Sequence, residues 1–183
     1  ASKMKELEVK VLNIDLKAIE EKLIKLGAKL IDRELQVNTL IDTEDKFIEK
    51  NLDSYMRIRE TKSLLTGKLK LTLTMKQNIN REGVRENIET STDISDKEAM
   101  LNILRALGYI LKEEGTKERT SYELNGIRFD LDRWDEKTYP YPYMEIEAED
   151  ESQIEEVIKL LEIPNENVST KSIVELRRES NQL

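Results

Sequence analysis

From Lys68 to Lys76 every second residue is Lys or Thr and every intervening one is Leu or Met. Strand side chains point to opposite faces in turn, whereas a helix would scatter these residues around its axis. Nine residues of such alternation specify a strand with one apolar face, Leu69, Leu71, Leu73 and Met75, and one basic face, Lys68, Lys70, Thr72, Thr74 and Lys76. The same period recurs along the chain. Glu6, Glu8 and Lys10 share a face of Glu6-Leu7-Glu8-Val9-Lys10, and Arg57 and Arg59 share one with Tyr55. Arg85-Glu86-Asn87-Ile88-Glu89, Lys117-Glu118-Arg119, Asp130-Leu131-Asp132 and Glu145-Ile146-Glu147 repeat the arrangement. A single strand of this kind is the solvated face of an antiparallel sheet. Seven of them, interspersed with helices, constrain the fold further.

The helices follow from a different period. Leu16, Ile19, Leu23 and Leu26 recur at helical spacing after Asn13 and Asp15, which can cap, and before Gly27. Ala99, Met100, Ile103, Leu104 and Leu107 do so between Ser95-Asp96 and Gly108, and Ile154, Val157, Ile158 and Leu161 lie in a helix over 151–161 that Pro164 ends. A short last helix is expected around Lys171 to Leu176. Lys25-Leu26-Gly27-Ala28 and Ala106-Leu107-Gly108-Tyr109 both close a helix and feed a strand, so two related halves are expected. Ser63 to Gly67 and Asn125-Gly126 read as hairpin turns, while Thr43–Asp53 and Gln77–Gly83 read as polar connections. Each helix needs an apolar sheet face to cover, so the charged faces must turn the other way. If the sheet curls, they converge on a wet, charged tunnel, because unpaired charge in a dry core would cost several kcal/mol per group. Basic residues there suit an anion, and carboxylates suit a shared divalent cation, a combination that describes a polyphosphate with its metal.

The chain is 183 residues long, 37% charged and 38% hydrophobic, with net charge -8, no cysteine and no histidine. One domain over 1–183 is expected, with residues 1–3 ahead of Met4 set aside as an appended remnant. The acidic balance argues against duplex nucleic acid and anionic membranes as partners. Without cysteine or histidine there is no thiolate or Ser-His nucleophile and no imidazole or thiolate metal ligand, so chemistry must run on carboxylates, Lys, Arg, Tyr, hydroxyls and an oxygen-loving metal. The expected compartment is the cytoplasm, and homodimer formation is left open.

Taken in order, these strands resemble the CYTH superfamily of triphosphate tunnel metalloenzymes, which includes class IV adenylyl cyclases and thiamine triphosphatases. Glu6-Leu7-Glu8-Val9-Lys10 is similar to its Glu-x-Glu-x-Lys signature, Gln36 to Thr43 to a second strand ending in Asp-Thr, and Met56-Arg57-Ile58-Arg59 to its Leu-Arg-x-Arg strand. Leu73-Thr74-Met75-Lys76 resembles the Thr-Leu-Lys strand, Lys117-Glu118-Arg119 the Lys-x-Arg strand, Leu131-Asp132 and Glu145-Ile146-Glu147 the late acidic strands, and Thr170-Lys171-Ser172 a C-terminal Ser-Lys-Ser element. The resemblance implies an α+β fold, an eight-stranded antiparallel β-barrel with helices packed outside. It implies Mg²⁺ or Mn²⁺ on Glu6, Glu8, Asp132, Glu145 and Glu147, and triphosphate on Lys10, Arg57, Arg59, Lys76, Arg119 and Lys171. Lys68, Lys70 and Lys117 are additional candidates, and Glu6, Glu8 and Lys10 are the expected catalytic set. Asn87 departs from the pattern, standing where many members have Glu.

The leading functional expectation is a metal-dependent phosphohydrolase acting on inorganic triphosphate, thiamine triphosphate or a nucleoside triphosphate, active at neutral to alkaline pH. The alternative is a class IV adenylyl cyclase that converts ATP to cyclic AMP and pyrophosphate, although no adenine-reading motif is visible. A third expectation is a non-catalytic polyphosphate or nucleotide-binding module.

Overall fold

The computed structural model describes residues 2–80 and 85–180. Eight strands form a closed antiparallel barrel: β1 (Ser2–Val11), β2 (Lys29–Asp42), β3 (Ser54–Ser63), β4 (Leu69–Asn80), β5 (Arg85–Asp93), β6 (Ile110–Leu124), β7 (Ile127–Trp134) and β8 (Tyr143–Ala148). Around the barrel the order is β1-β5-β4-β3-β2-β6-β7-β8, and β8 returns to β1. Closure falls on β1, which pairs with β5 through residues 2–8 and with β8 through residues 7–11. A two-residue strand, β9 (Val168–Ser169), pairs with Lys10 and Val11 where β5 has left off. The barrel therefore has no long unpaired edge among the described residues.

Five helices lie outside: α1 (Leu16–Lys25), α2 (Phe47–Leu52), α3 (Lys97–Ala106), α4 (Glu151–Leu160) and α5 (Ile173–Glu179). Asp15 caps α1 through the amides of Lys17 and Ala18, Asp96 caps α3 through that of Ala99, and Asp150 with Gln153 and Ser172 with Glu175 form capping boxes on α4 and α5. Gly27 and Gly108 follow α1 and α3 with φ of +89° and +92°, the left-handed conformation that glycine adopts without strain. The two helix ends that echo one another in sequence thus share one geometry.

The helices cover the faces that the alternation marked as apolar. Ile19 and Leu23 of α1, and Ile154, Val157 and Ile158 of α4, pack on Val9, Val11, Phe129, Leu131, Met144 and Ile146 of β1, β7 and β8. Each such side chain, fully buried, contributes about 1.5–3 kcal/mol relative to exposure. Leu101 of α3 joins Ile41 and Ile58, and Leu176 of α5 joins Tyr139 and Tyr143. The opposite faces are forced inward. Glu6, Glu8 and Lys10 sit inside the barrel while Val9 and Val11 face the core outside it.

Several local readings shift. The connection at Thr43–Asp53 contains α2, because Asp42 accepts from the amides of Thr43, Ile48 and Glu49 and caps a turn of helix there. The strand marked by Lys117-Glu118-Arg119 is part of a longer one, β6, which begins at Ile110 and has Gly115 inside it. β4 runs on to Asn80, through the start of the expected Gln77–Gly83 connection, and the rest of that connection lies outside the described residues. No helix among the described residues is long and apolar enough to cross a membrane.

Candidate functional site

The barrel encloses a cavity of about 310 Å³. Its wall includes Glu6, Glu8 and Lys10 from β1, Arg57 and Arg59 from β3, Lys76 from β4, Lys117 and Arg119 from β6, Asp130 from β7, and Glu145 and Glu147 from β8. Register explains the convergence. Glu8 lies opposite Glu147 and Lys10 opposite Glu145, while Lys76 lies opposite Glu89 on one side and Tyr55 on the other.

Charge is segregated inside. Glu6, Glu8 and Glu147 bring one carboxylate oxygen each within 4.8 Å of one another. The Lys76 ammonium reaches into this cluster, 2.8 Å from Glu6 Oε1 and 3.4 Å from Glu8 Oε2. One ammonium does not satisfy it. Burial, then Glu6 beside it, pushes the Glu147 carboxyl well above its usual range. Burial likewise pushes Glu8 up against the pull of Lys76. For Lys76, burial opposes the charge, but Glu8, Tyr55 and Glu6 outweigh it and hold the ammonium well above its usual range. Glu6 Oε1 has the Lys76 ammonium as its ion-pair partner but no aligned hydrogen bond, so the cluster retains acceptor capacity. Three close oxygens, none from sulfur or imidazole, are a donor set that fits a hard cation such as Mg²⁺ or Mn²⁺.

Away from the three clustered carboxylates the balance is reversed. Among the described residues, Arg57, Arg59 and Lys10 have no carboxylate within ion-pair distance. Neutral groups hold them instead. Arg57 stacks over Tyr55 at 5.7 Å and Lys10 over Tyr143 at 5.9 Å, while Arg59 Nε donates to Asn38 Oδ1 at 2.7 Å. Burial, then the charges of Arg57 and Arg119, pull the Arg59 guanidinium down to about 9, so it stays charged at neutral pH in surroundings that want an anion. Burial, then Arg119, pull Lys117 down to about 7, although its ammonium is 3.2 Å from Asp132 and lies over the Trp134 ring at 4.9 Å.

The structure divides the remaining candidates. Asp132 is not in the carboxylate cluster: it is fully buried, with both oxygens on Arg119 and Lys117 beside it. Burial resists its ionisation, but Arg119 and Lys117 hold its carboxyl below the usual range. Glu145 lines the cavity apart from the three clustered carboxylates, and Lys10 and Arg119 overcome its burial to hold it well below the usual range. Lys171 is half-exposed, pairs with Glu179 and is absent from the cavity wall, because the short turn before α5 points it outward. Its neighbours Ser172, Ile173 and Val174 reach the wall in its place. Lys68 and Lys70 are exposed at the β3–β4 hairpin and are not wall residues. Asn87 is fully buried and donates from Nδ2 to Glu8 Oε1 at 3.1 Å, so it orients a clustered carboxylate where a Glu would add another.

Asp130, Glu113 and Arg177 are among the wall residues that the sequence reading did not nominate for the site. Asp130 accepts from Ser121 and Arg128 and lies on the same face as Asp132, so its strand's alternation already marked it. Glu113 had the same signal in β6. Arg177 had none: it enters from α5, donates to the Thr138 carbonyl at 2.6 Å and pairs with Glu113.

The CYTH domain model matches residues 4–175. The chain belongs to the CYTH family. This CYTH protein resembles the PH1012 protein from Pyrococcus horikoshii OT3 with a TM-score of 0.76 at 26% identity, over 93% of this chain and 98% of that one. It resembles the PH1819 protein of the same organism with a TM-score of 0.77 at 21% identity, over 96% and 99%. A candidate adenylyl cyclase from Hippeastrum with a dominant triphosphatase activity gives a TM-score of 0.68 at 17% identity, over 96% and 95%, a likeness of fold. No curated protein matches the chain in sequence.

Proposed function

We propose that this CYTH protein is a phosphohydrolase that cleaves a terminal phosphate from a triphosphate held inside the barrel. The observation that carries this reading is the separation of uncompensated charge. Among the described residues, Arg57, Arg59 and Lys10 have no carboxylate within ion-pair distance, while Glu6, Glu8 and Glu147 crowd together around the Lys76 ammonium. A polyanion accompanied by a divalent cation answers both.

In this reading Arg57, Arg59 and Lys10 take the non-bridging phosphate oxygens and disperse the charge that builds on them during transfer. Aromatic and amide partners hold these cations without competing for them as a carboxylate would. Glu6, Glu8 and Glu147 would hold Mg²⁺ or Mn²⁺, which when bound adds positive charge beside the phosphates and orders the attacking water. Asn87 fixes the rotamer of Glu8 through its Oε1. Glu145, ionised and facing the cavity, is the carboxylate placed to align a water from the protein side. No histidine is required, because positioning and charge stabilisation carry most of phosphoryl transfer.

The test is to incubate the protein with inorganic triphosphate, thiamine triphosphate and ATP, each with Mg²⁺ and with Mn²⁺, and to resolve the products. Orthophosphate supports the hydrolase. Cyclic AMP with pyrophosphate would make it a cyclase, and binding without turnover a binding module. Glu8→Gln should abolish turnover while the thermal midpoint is retained.

A further inference from the structure

Arg59 is oriented by a row of side chains on β2. Its Nε donates to Asn38 Oδ1 at 2.7 Å, Asn38 Nδ2 donates to Gln36 Oε1 at 3.2 Å, and Gln36 Nε2 donates to Glu34 Oε2 at 2.8 Å. The three occupy alternate positions of one strand and so share its inward face. Glu34 is half-buried at one end, and Gln36 and Asn38 are 2% and 3% exposed.

The row can point only one way. A carboxylate accepts and cannot donate, so Gln36 must turn its NH₂ to Glu34 and its oxygen to Asn38. Asn38 must then turn its NH₂ to Gln36 and its oxygen to the guanidinium. Reversed, an NH₂ would face Arg59, donor to donor. The charge of Glu34 thereby sets the orientation of an amide two side chains away.

We propose that Glu34, Gln36 and Asn38 form an orienting relay that positions Arg59 for a phosphate group of the bound triphosphate while leaving its terminal nitrogens unspent. This rests on the reading of the tunnel as a triphosphate site. Arg119 supplies the contrast. Its Nε and one terminal nitrogen are committed to Asp132, and the other lies 3.5 Å from Asp130. A carboxylate at position 38 would grip Arg59 in that way and compete with phosphate. A neutral oxygen, polarised through Gln36 by Glu34, gives direction without the competition.

The experiment measures calorimetric binding of inorganic triphosphate in EDTA and in Mg²⁺, with thermal midpoints recorded for every variant. Wild type should bind, and Gln36→Met should bind about tenfold more weakly, the loss expected of one charge-linked hydrogen bond. Glu34→Gln, which removes the charge that fixes and polarises the row but keeps an oxygen for Gln36, should bind about threefold more weakly than wild type. Asn38→Asp should bind about tenfold more weakly although Arg59 gains an ion pair, a direction that a purely structural role would not produce. If Gln36→Met does not fold, Asn38→Asp decides. Wild-type affinity in both Gln36→Met and Asn38→Asp overturns the relay and leaves the tunnel reading standing. No binding by wild type in either buffer removes the tunnel reading, and the relay with it.

Discussion

Arg119 clasps Asp132 with two hydrogen bonds, Nε to Oδ1 at 2.8 Å and Nη2 to Oδ2 at 2.7 Å, across the β6–β7 register, and Lys117 adds a second cation at 3.2 Å. The carboxylate has no solvent exposure, so it functions as the internal counter-ion of two buried cations. Removing it takes the carboxylate from Lys117 and leaves Arg119 with only its longer pairs to Asp130 at 3.5 Å and Glu145 at 3.7 Å. Asp132→Ala should cost about 3–5 kcal/mol of stability, the usual penalty for breaking a buried pair. Urea denaturation checks this, and an unchanged midpoint would show that the clasp does not hold the wall together.

Arg57 presents the opposite case. Its Nε is buried without a hydrogen-bond partner, while Nη1 donates to the Tyr55 hydroxyl at 3.4 Å and the guanidinium lies over the Tyr55 ring. Arg57→Met should leave the protein as stable as wild type or more so, by up to about 1 kcal/mol, since an unpaired buried cation disappears. Triphosphate binding should weaken by roughly thirtyfold, about 2 kcal/mol. Calorimetry and thermal unfolding of one preparation give both numbers, and a parallel fall in the two would mean that Arg57 is structural.

The sequence exposed most of the barrel because its signal is local. A strand with a helix outside and charge inside must alternate, and over 6–11 of β1, 55–59 of β3, 69–76 of β4, 127–132 of β7 and 143–148 of β8 it does so. What it concealed depends on distance. Asp132 and Glu145 look alike in an alternating strand, yet cross-strand register gives Asp132 to Arg119 and leaves Glu145 on the cavity. Arg177 comes from a helix some sixty residues beyond its partner Glu113, and nothing in a helical period announces that one cation will turn inward. Lys171 shows a related limit: short turns have no period, so a motif that names a residue does not fix where its side chain points.

Glu147 predicts a pH dependence. Its folded carboxyl is raised well above 4.5 by burial and then by Glu6, so between 4.5 and the folded value the native protein binds more protons than the unfolded chain. Stability contributed by this group therefore falls as pH rises through that window. In EDTA, the difference in unfolding free energy between Glu147→Gln and wild type should grow in favour of the variant from acid to neutral pH. Mn²⁺ should reverse its sign by stabilising wild type alone. A difference that is flat with pH would show that Glu147 is not crowded by its neighbours.

Asn87 gives the most direct test of the carboxylate cluster. It lies opposite Glu6 in the β1–β5 register and donates to Glu8 Oε1 at 3.1 Å, while its own Oδ1 is buried without a hydrogen-bond partner. The amide therefore does two things: it steers Glu8, and it keeps a further negative charge out of a site where Glu147 and Glu8 already resist ionisation. Asn87→Glu reverses both. Without metal the new carboxylate repels Glu6 and Glu8 and a hydrogen bond is lost, so stability in EDTA should drop by about 1–3 kcal/mol. With metal the same carboxylate is an added oxygen ligand, so Mn²⁺ affinity should rise by roughly tenfold. The two effects have opposite signs, which separates them from general damage to the fold. Calorimetric titration of Mn²⁺ into wild type and variant, with thermal unfolding in EDTA, reads both, and a variant that loses stability without gaining affinity would place the metal away from Glu6 and Glu8.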